Sequence, residues 1–311
     1  MDAIEKNKSL VDVKTNGQAN GNSSKGDRLD IMKTYKIYID GKFPRTESGR
    51  YYILENSSGK TIANICESSR KDFREAVVAA RKAQPGWSSK SAYNKAQILY
   101  RIAEMLEGRR DQFISELKEQ GSSNSQAEKE INLSIDRLVY YAGWCDKFQQ
   151  VFSSVNPVES SHFNFSVPEP MGVISILSPE SLGLLGLISL IAPAIAGGNT
   201  VVALASSSKP LCAVTFGEVL NSSDVPAGVV NLLTGHRSEL MSHFATHMDV
   251  NALVYCGEDA AEIKNVKESA SLNVKRVMVY KENDIMDDKT QHPYRIMDLQ
   301  EIKTTWHPIG Q

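Results

Sequence analysis

The chain has 311 residues, 41% of them hydrophobic and 23% charged, a composition that buries a sizeable core and excludes wholesale disorder. At about 150 residues per domain, that length gives two domains or one large α/β unit. Its 35 Lys and Arg against 37 Asp and Glu leave a net charge of −2, and the lack of a basic excess or stripe argues against a nucleic-acid binder.

Residues 1–33 mix both charge signs with Asn, Gly and Ser and have nothing to bury, so they predict a disordered tail. They also lack the apolar run of a secretory signal. YKIYIDGKF alternates and turns at Asp40-Gly41, and RYYILENSSGKTIANICES reads as a second strand pair, with turn residues at the joints. Helical periodicity then takes over. Residues 70–83 place Phe73, Val77, Ala80 and Ala83 on one face, and residues 94–107 do the same with Ile98, Ile102, Met105 and Leu106. Residues 113–119 and 131–148 complete the helices of an N-terminal part, 34–147, with Gly86, Gly108 and the polar run GSSNSQ as separators.

Residues 148–168 read as a hairpin arm, since HFNFSVPEP alternates large apolar with polar residues. From 169 to 280 the pattern is strand, helix, strand, helix. GVISIL, NTVVALA, GVVNLLTG, ALVYC and KRVMVY alternate with helices near 182–196, 211–220, 237–246 and 259–269. Short apolar strands of this kind predict an α/β fold: an open parallel Rossmann-like sheet with helices on both faces. Residues 281–311 read as a polar link and a C-terminal strand carrying Trp306. The longest apolar stretch, 182–198, falls short of the ~20 residues that span a bilayer and contains Pro193. It predicts a buried helix, no membrane association, and a cytoplasmic protein.

Four blocks resemble the aldehyde dehydrogenase family: YYAGWCDK (140–147), EPMGVIS (169–175), APAIAGGNTVV (192–202) and VPAGVVNLLTG (225–235). They stand in family order, and the resemblance covers about 35–280. It implies an NAD(P)-type Rossmann-like domain and a β-hairpin arm used for oligomerisation. The family's functional motifs are altered here. Its Pro-Trp-Asn-Phe-Pro segment reads Pro179-Glu180-Ser181-Leu182-Gly183, so the asparagine that donates to the oxyanion becomes Ser181. The lysine and glutamate that hold the adenosine ribose become Leu204 and Ser207. The pyrophosphate turn becomes Gly257-Glu258-Asp259-Ala260-Ala261-Glu262, where acidic side chains occupy and repel at a helix N-terminus that would bind phosphate. The general-base glutamate becomes Tyr280, and the cysteine nucleophile belongs to a family segment beyond the last strand that aligns. The resemblance is therefore to a truncated member lacking the catalytic cysteine domain, with no catalytic residue and no NAD(P) site expected.

The remaining candidates carry little chemistry. The four cysteines, Cys66, Cys145, Cys212 and Cys256, form no CxxC pair, which leaves no metal spacing or disulfide framework. Cys256 stands beside carboxylates that raise its pKa. His243 and His247 have i, i+4 spacing but no third ligand at a fixed spacing, with His236 nearby, so no metal is expected. Ser181 reads as a helix N-cap, and Lys264–Lys267 as a solvated face. Phe163, Phe165 and Val167 alternate along the arm and, with Trp306 of the last strand, form the expected interface. Two functions follow. The first is an inactive homologue that serves as a structural or regulatory subunit, in a homo-oligomer or with a complete aldehyde dehydrogenase. The second is an NAD(P)-dependent aldehyde oxidoreductase active only in complex with a catalytic partner.

Overall fold

A computed structural model describes residues 32–310, so the expected tail lies almost wholly outside the described residues. The first elements are strands β1 (Thr34–Tyr35), β2 (Tyr51–Glu55) and β3 (Thr61–Cys66), which form a three-stranded sheet in the order β1-β3-β2. The Asp40-Gly41 turn forms as expected, with Asp40 at φ 52° and Gly41 at φ 71°. There Ile39 and Lys42 exchange backbone hydrogen bonds, and Tyr38 bridges to Leu232.

Four helices follow: α1 (Arg70–Ser88), α2 (Ala92–Glu107), α3 (Arg110–Glu119) and α4 (Asn124–Ala142). Two depart from the sequence reading. Helix α1 runs through Pro85 and Gly86 because Trp87 is buried and its indole N–H donates to Ile195 O at 3.0 Å, anchoring the last turn. Helix α4 starts seven residues before the expected 131 and stops at Gly143. A capping box sets the start: the Ser123 hydroxyl accepts from Gln126 N, and the Gln126 side chain accepts from Ser123 N. The polar run read as a separator thus contains the helix start.

The arm region opens on a short helix, α5 (Phe148–Phe152), then strands β4 (Ser154–Asn156) and β5 (His162–Pro170). The alternation then proceeds as predicted. It runs β6 (Val173–Leu177), α6 (Leu185–Ala196), β7 (Thr200–Leu204), α7 (Leu211–Asn221), β8 (Val230–Leu233), α8 (Arg237–Thr246), β9 (Ala252–Cys256), α9 (Ala260–Ser271) and β10 (Arg276–Tyr280). The strands form one five-stranded sheet, order β10-β9-β6-β7-β8, with every pairing parallel.

Strands β6 to β9 are buried along their whole length, so the strand period of two divides their side chains between two cores. Ile174, Ile176, Val201, Ala203 and Val254 face the core that also holds α2, α4 and α6. Val173, Leu177, Val202, Leu204 and Leu253 face the other, with Phe73 of α1, Phe244 of α8 and Val266 of α9. Helix α6 is buried at every residue, and no helix among the described residues is long and apolar enough to cross a membrane.

The chain closes with α10 (Tyr294–Met297) and β11 (Gln300–Pro308). Strand β11 pairs antiparallel with β5 from Gln300↔Pro170 to Pro308↔His162, giving a second three-stranded sheet, β11-β5-β4. The segment before it, read as a polar link, is packed against the core. Ile285, Ile296 and Leu299 are buried in the main cluster. The buried Arg137 guanidinium donates to Ser189 Oγ at 2.7 Å and to the carbonyls of Ile285 and Asp287 at 2.7 and 3.3 Å.

Candidate functional site

In an open α/β sheet, ligands bind outside the carboxyl ends of the strands, where the strand order reverses. Here that point lies between β6 and β9, at Ser178 and Cys256. The first turn of α8 brings Arg237 into this crevice. Its guanidinium donates to the carbonyl of Ser178 and, at 3.1 Å, to that of Cys256, tying the two strand ends together. Another nitrogen lies 3.3 Å from the Glu262 carboxylate, and the guanidinium carbon lies 5.1 Å from the Tyr255 ring centroid. The side chain is only 11% exposed, so the residue fills the position rather than lining it.

Several backbone N–H groups around the crevice are also taken by carboxylates of the chain itself. Glu180 folds back on the turn after β7, accepting from Ser207 N at 2.8 Å, Ser208 N at 3.4 Å and Ser207 Oγ at 3.0 Å. Glu282 accepts from Glu180 N at 3.0 Å and Ser181 N at 3.3 Å. Glu130 of α4, itself buried, accepts from Leu184 N at 2.8 Å and Leu185 N at 3.2 Å, the free donors at the start of α6. Asp259 accepts from Glu262 N at 2.8 Å at the start of α9. Helix N-termini and successive N–H groups attract anions through their dipoles; at this edge the anions are covalently part of the protein.

Several expectations are refined by these contacts. Ser181 does not cap α6, whose N-cap residue is Leu184 without a side-chain bond; Glu130 reaches across from α4 instead. Asp259 caps α9 as its sequence position implies, whereas Glu258 meets Asn283 Nδ2 at 3.4 Å. Leu204 is buried in the second core, and Ser207 serves Glu180. Tyr280 donates to Asp298 Oδ2 at 2.7 Å and stacks under the Arg295 guanidinium, 3.5 Å from the ring centroid. Burial and the neighbouring Asp298 push its hydroxyl further up from the ordinary tyrosine value, so it stays protonated.

All four cysteines are buried and unpaired. Burial first, then Glu282, pushes the Cys256 thiol up to about 12; the carboxylates beside it in sequence are not the main cause. Burial also raises Cys145 to about 12 and Cys212 well above its ordinary range. Such thiols carry almost no thiolate at neutral pH and are poor nucleophiles. No group of three His, Cys, Asp or Glu side chains able to hold a metal comes together among the described residues. His243 lies in the last turn of α8, and His247 caps that helix at its C-terminus.

Two open concavities of about 590 Å³ each lie away from this crevice. One sits by the starts of β6, β9 and β10, among Met171, Asn251 and Lys275. The other lies between the Asp40 turn and the outer face of α1. The expected interface residues share the β11-β5-β4 sheet but not one face. Opposed residues of paired strands project from the same side, so the register puts Phe163, Phe165 and Val167 with His307, Thr305 and Lys303. Trp306 stands opposite Asn164 on the other face, 5.8 Å from the His162 ring. The Phe163 and Phe165 ring centroids lie 5.6 Å apart, with the rings tilted by 36°. Sequence reasoning missed Arg237, Glu130 and Glu282, whose partners are remote along the chain; the altered Pro179-Glu180-Ser181 segment was the one local sign of Glu180.

Sheet order and crevice together define a Rossmann-like α/β protein. Residues 43–280 match the aldehyde dehydrogenase family, and the chain belongs to it. It is 36% identical over 236 residues to 2-hydroxymuconic semialdehyde dehydrogenase of Pseudomonas sp. (strain CF600), covering 73% of this chain and 48% of that protein. It is 30% identical over 247 residues to the mitochondrial benzaldehyde dehydrogenase of Antirrhinum majus, covering 78% and 46%. Among solved structures it resembles PnpE of Pseudomonas sp. WBC-3 in complex with nicotinamide adenine dinucleotide, at 26% identity and a TM-score of 0.75 over 78% of this chain and 50% of that one. The chain thus spans about half the length of each of these three relatives.

Proposed function

We propose that this protein is a catalytically inactive aldehyde dehydrogenase homologue, a pseudoenzyme that acts as a cytoplasmic structural or regulatory subunit of a dehydrogenase assembly. The observation that carries the proposal is the occupation of the strand-end crevice by Arg237 and by the carboxylates of Glu180, Glu282 and Asp259. A dinucleotide would have to displace a buried guanidinium and then compete with fixed anions for the same N–H groups. Its pyrophosphate would also meet like charge at close range. NAD(P) does not fit this arrangement. The buried thiols with raised pKa values and the protonated Tyr280 support the same reading, since neither nucleophile nor base is offered. The β11-β5-β4 sheet, with Phe163, Phe165 and Val167 on one face and Trp306 on the other, is the part through which the subunit would meet a second copy or a complete aldehyde dehydrogenase.

A second reading is an NAD(P)-dependent aldehyde oxidoreductase that completes its site with a catalytic partner. The family, and the dinucleotide bound by PnpE, favour it. Calorimetric titration of NAD into the purified chain separates the two. The inactive reading expects no heat at millimolar cofactor for the wild type. Micromolar binding would move the oxidoreductase reading ahead. The double variant Arg237→Ala, Glu282→Ala tests the cause: if it gains measurable binding, self-occupation is what closes the crevice.

A further inference from the structure

Two arginines away from the crevice are buried, Arg137 of α4 at 2% exposure and Arg295 of α10 at 8%. Neither makes an ion pair among the described residues. A buried charge is costly unless it is both paired and hydrogen-bonded. Arg137 meets part of that need with neutral acceptors, Ser189 Oγ and the carbonyls of Ile285 and Asp287, but its buried Nε has no partner. Arg295 lies over the Tyr280 ring, and its buried Nη1 has no partner either. The Asp298 carboxylate accepts from the Tyr280 hydroxyl at 2.7 Å instead of pairing with Arg295.

The two guanidinium groups share one neighbourhood. Tyr141, one turn after Arg137 on α4, reaches His292 O at 3.5 Å, and the same carbonyl accepts from Arg295 N at 3.2 Å. Burial raises the pKa of the Tyr141 hydroxyl, while Arg295 and then Arg137 pull it back down, so both cations act on one point. His292 completes the set, because its Nδ1 is also buried and without a partner. Burial, then Arg295, lowers the His292 pKa, which leaves the ring neutral at pH 7 and able to donate from Nδ1 in one tautomer.

We infer that Arg137 Nε, Arg295 Nη1 and His292 Nδ1 hold one small inorganic anion, of the size of chloride, between α4 and α10. Charge selects the class, since both guanidinium groups carry donors and no acceptor. Donor number selects the ion. Three N–H groups suit a monatomic halide, whereas phosphate or sulfate brings four oxygens that each need donors. The anion would offset buried positive charge and fasten the segment after β10 to α4. His292 and Arg295 lie beyond the family match, which ends at residue 280, so the site belongs to this chain's own closing segment. It is independent of turnover and of NAD binding.

Urea unfolding of the full chain tests the site, with sodium chloride or bromide replacing sodium gluconate at constant ionic strength. For the wild type the midpoint should rise with halide and follow ligand linkage. Arg295→Met, which removes an unpaired charge, should fold with unchanged circular dichroism and lose that rise. His292→Phe, which removes a neutral donor, should weaken halide binding roughly tenfold, the loss expected for one hydrogen bond to a charge. If Arg295→Met does not fold, His292→Phe carries the comparison alone. Equal wild-type midpoints in chloride and gluconate overturn the inference. So does a halide rise that persists undiminished in both variants, because the ion would then act elsewhere. A larger rise with phosphate than with chloride overturns the choice of ion.

Discussion

The carboxyl edge of the five-stranded sheet and the outer edge of β11 pose the same physical problem, a row of backbone groups with no partner in their own strand or helix. The chain treats them in opposite ways. At the parallel sheet, Glu180, Glu282, Glu130 and Asp259 supply acceptors from within, and Arg237 ties two strand ends together. At β11, Ile302 and Trp306 are exposed beside an edge with which no strand pairs among the described residues. The first region draws its acceptors and its guanidinium from within one chain.

Mutations sharpen this contrast. The largest effect is expected at Arg137, which holds the 281–299 segment against α4 and α6. Arg137→Met strands the acceptors Ser189, Ile285 O and Asp287 O in the interior. It should cost about 3 kcal/mol, read as a lower urea midpoint at unchanged slope. Glu130→Ala should cost about 2 kcal/mol by freeing the N–H groups of Leu184 and Leu185, while Glu130→Gln, which keeps an acceptor oxygen, loses less than half of that. If both variants prove neutral, the closed edge owes nothing to its internal acceptors.

Alkaline pH probes the buried thiols. The folded-state pKa values of Cys145 and Cys256 are raised from 9.0 to about 12, so the folded chain retains protons that the unfolded chain releases. Their contribution is fully present below pH 9 and is lost as the pH climbs toward 12. Denaturant midpoints measured from pH 8 to 11 should therefore fall above 9. A thiol reagent at pH 8 should leave these cysteines unmodified until the protein unfolds. The smallest effect is expected at the open region. Phe163→Glu, at a residue 45% exposed, should change the stability of the isolated chain by no more than about 0.5 kcal/mol. Its consequence should show only in assembly, as lost co-purification with a dehydrogenase.

Much of the fold was legible because its signals are local or periodic. The alternation of short apolar strands with helices announced the parallel sheet, and the bounds of α8 agree with the sequence reading residue for residue. The capping box at Ser123 was equally local, but its residues resemble a linker in composition, so the start of α4 was missed.

The contacts at the strand ends belong to the tertiary structure alone. Arg237 reaches Ser178 O across 59 positions, Glu282 reaches Glu180 N across 102, and Glu130 reaches Leu184 N across 54. No periodicity encodes such pairs, because each depends on which strand ends the sheet order brings together. The sequence by itself determined which residues are apolar and where the strands and helices alternate. Only the folded chain decided that a glutamate would occupy the N–H groups of a neighbouring turn, that Trp306 and Phe163 would stand on opposite faces, and that one edge would close while another stayed open. Local propensity acts over a few residues, whereas the satisfaction of buried polar groups is settled by neighbours that only the fold supplies.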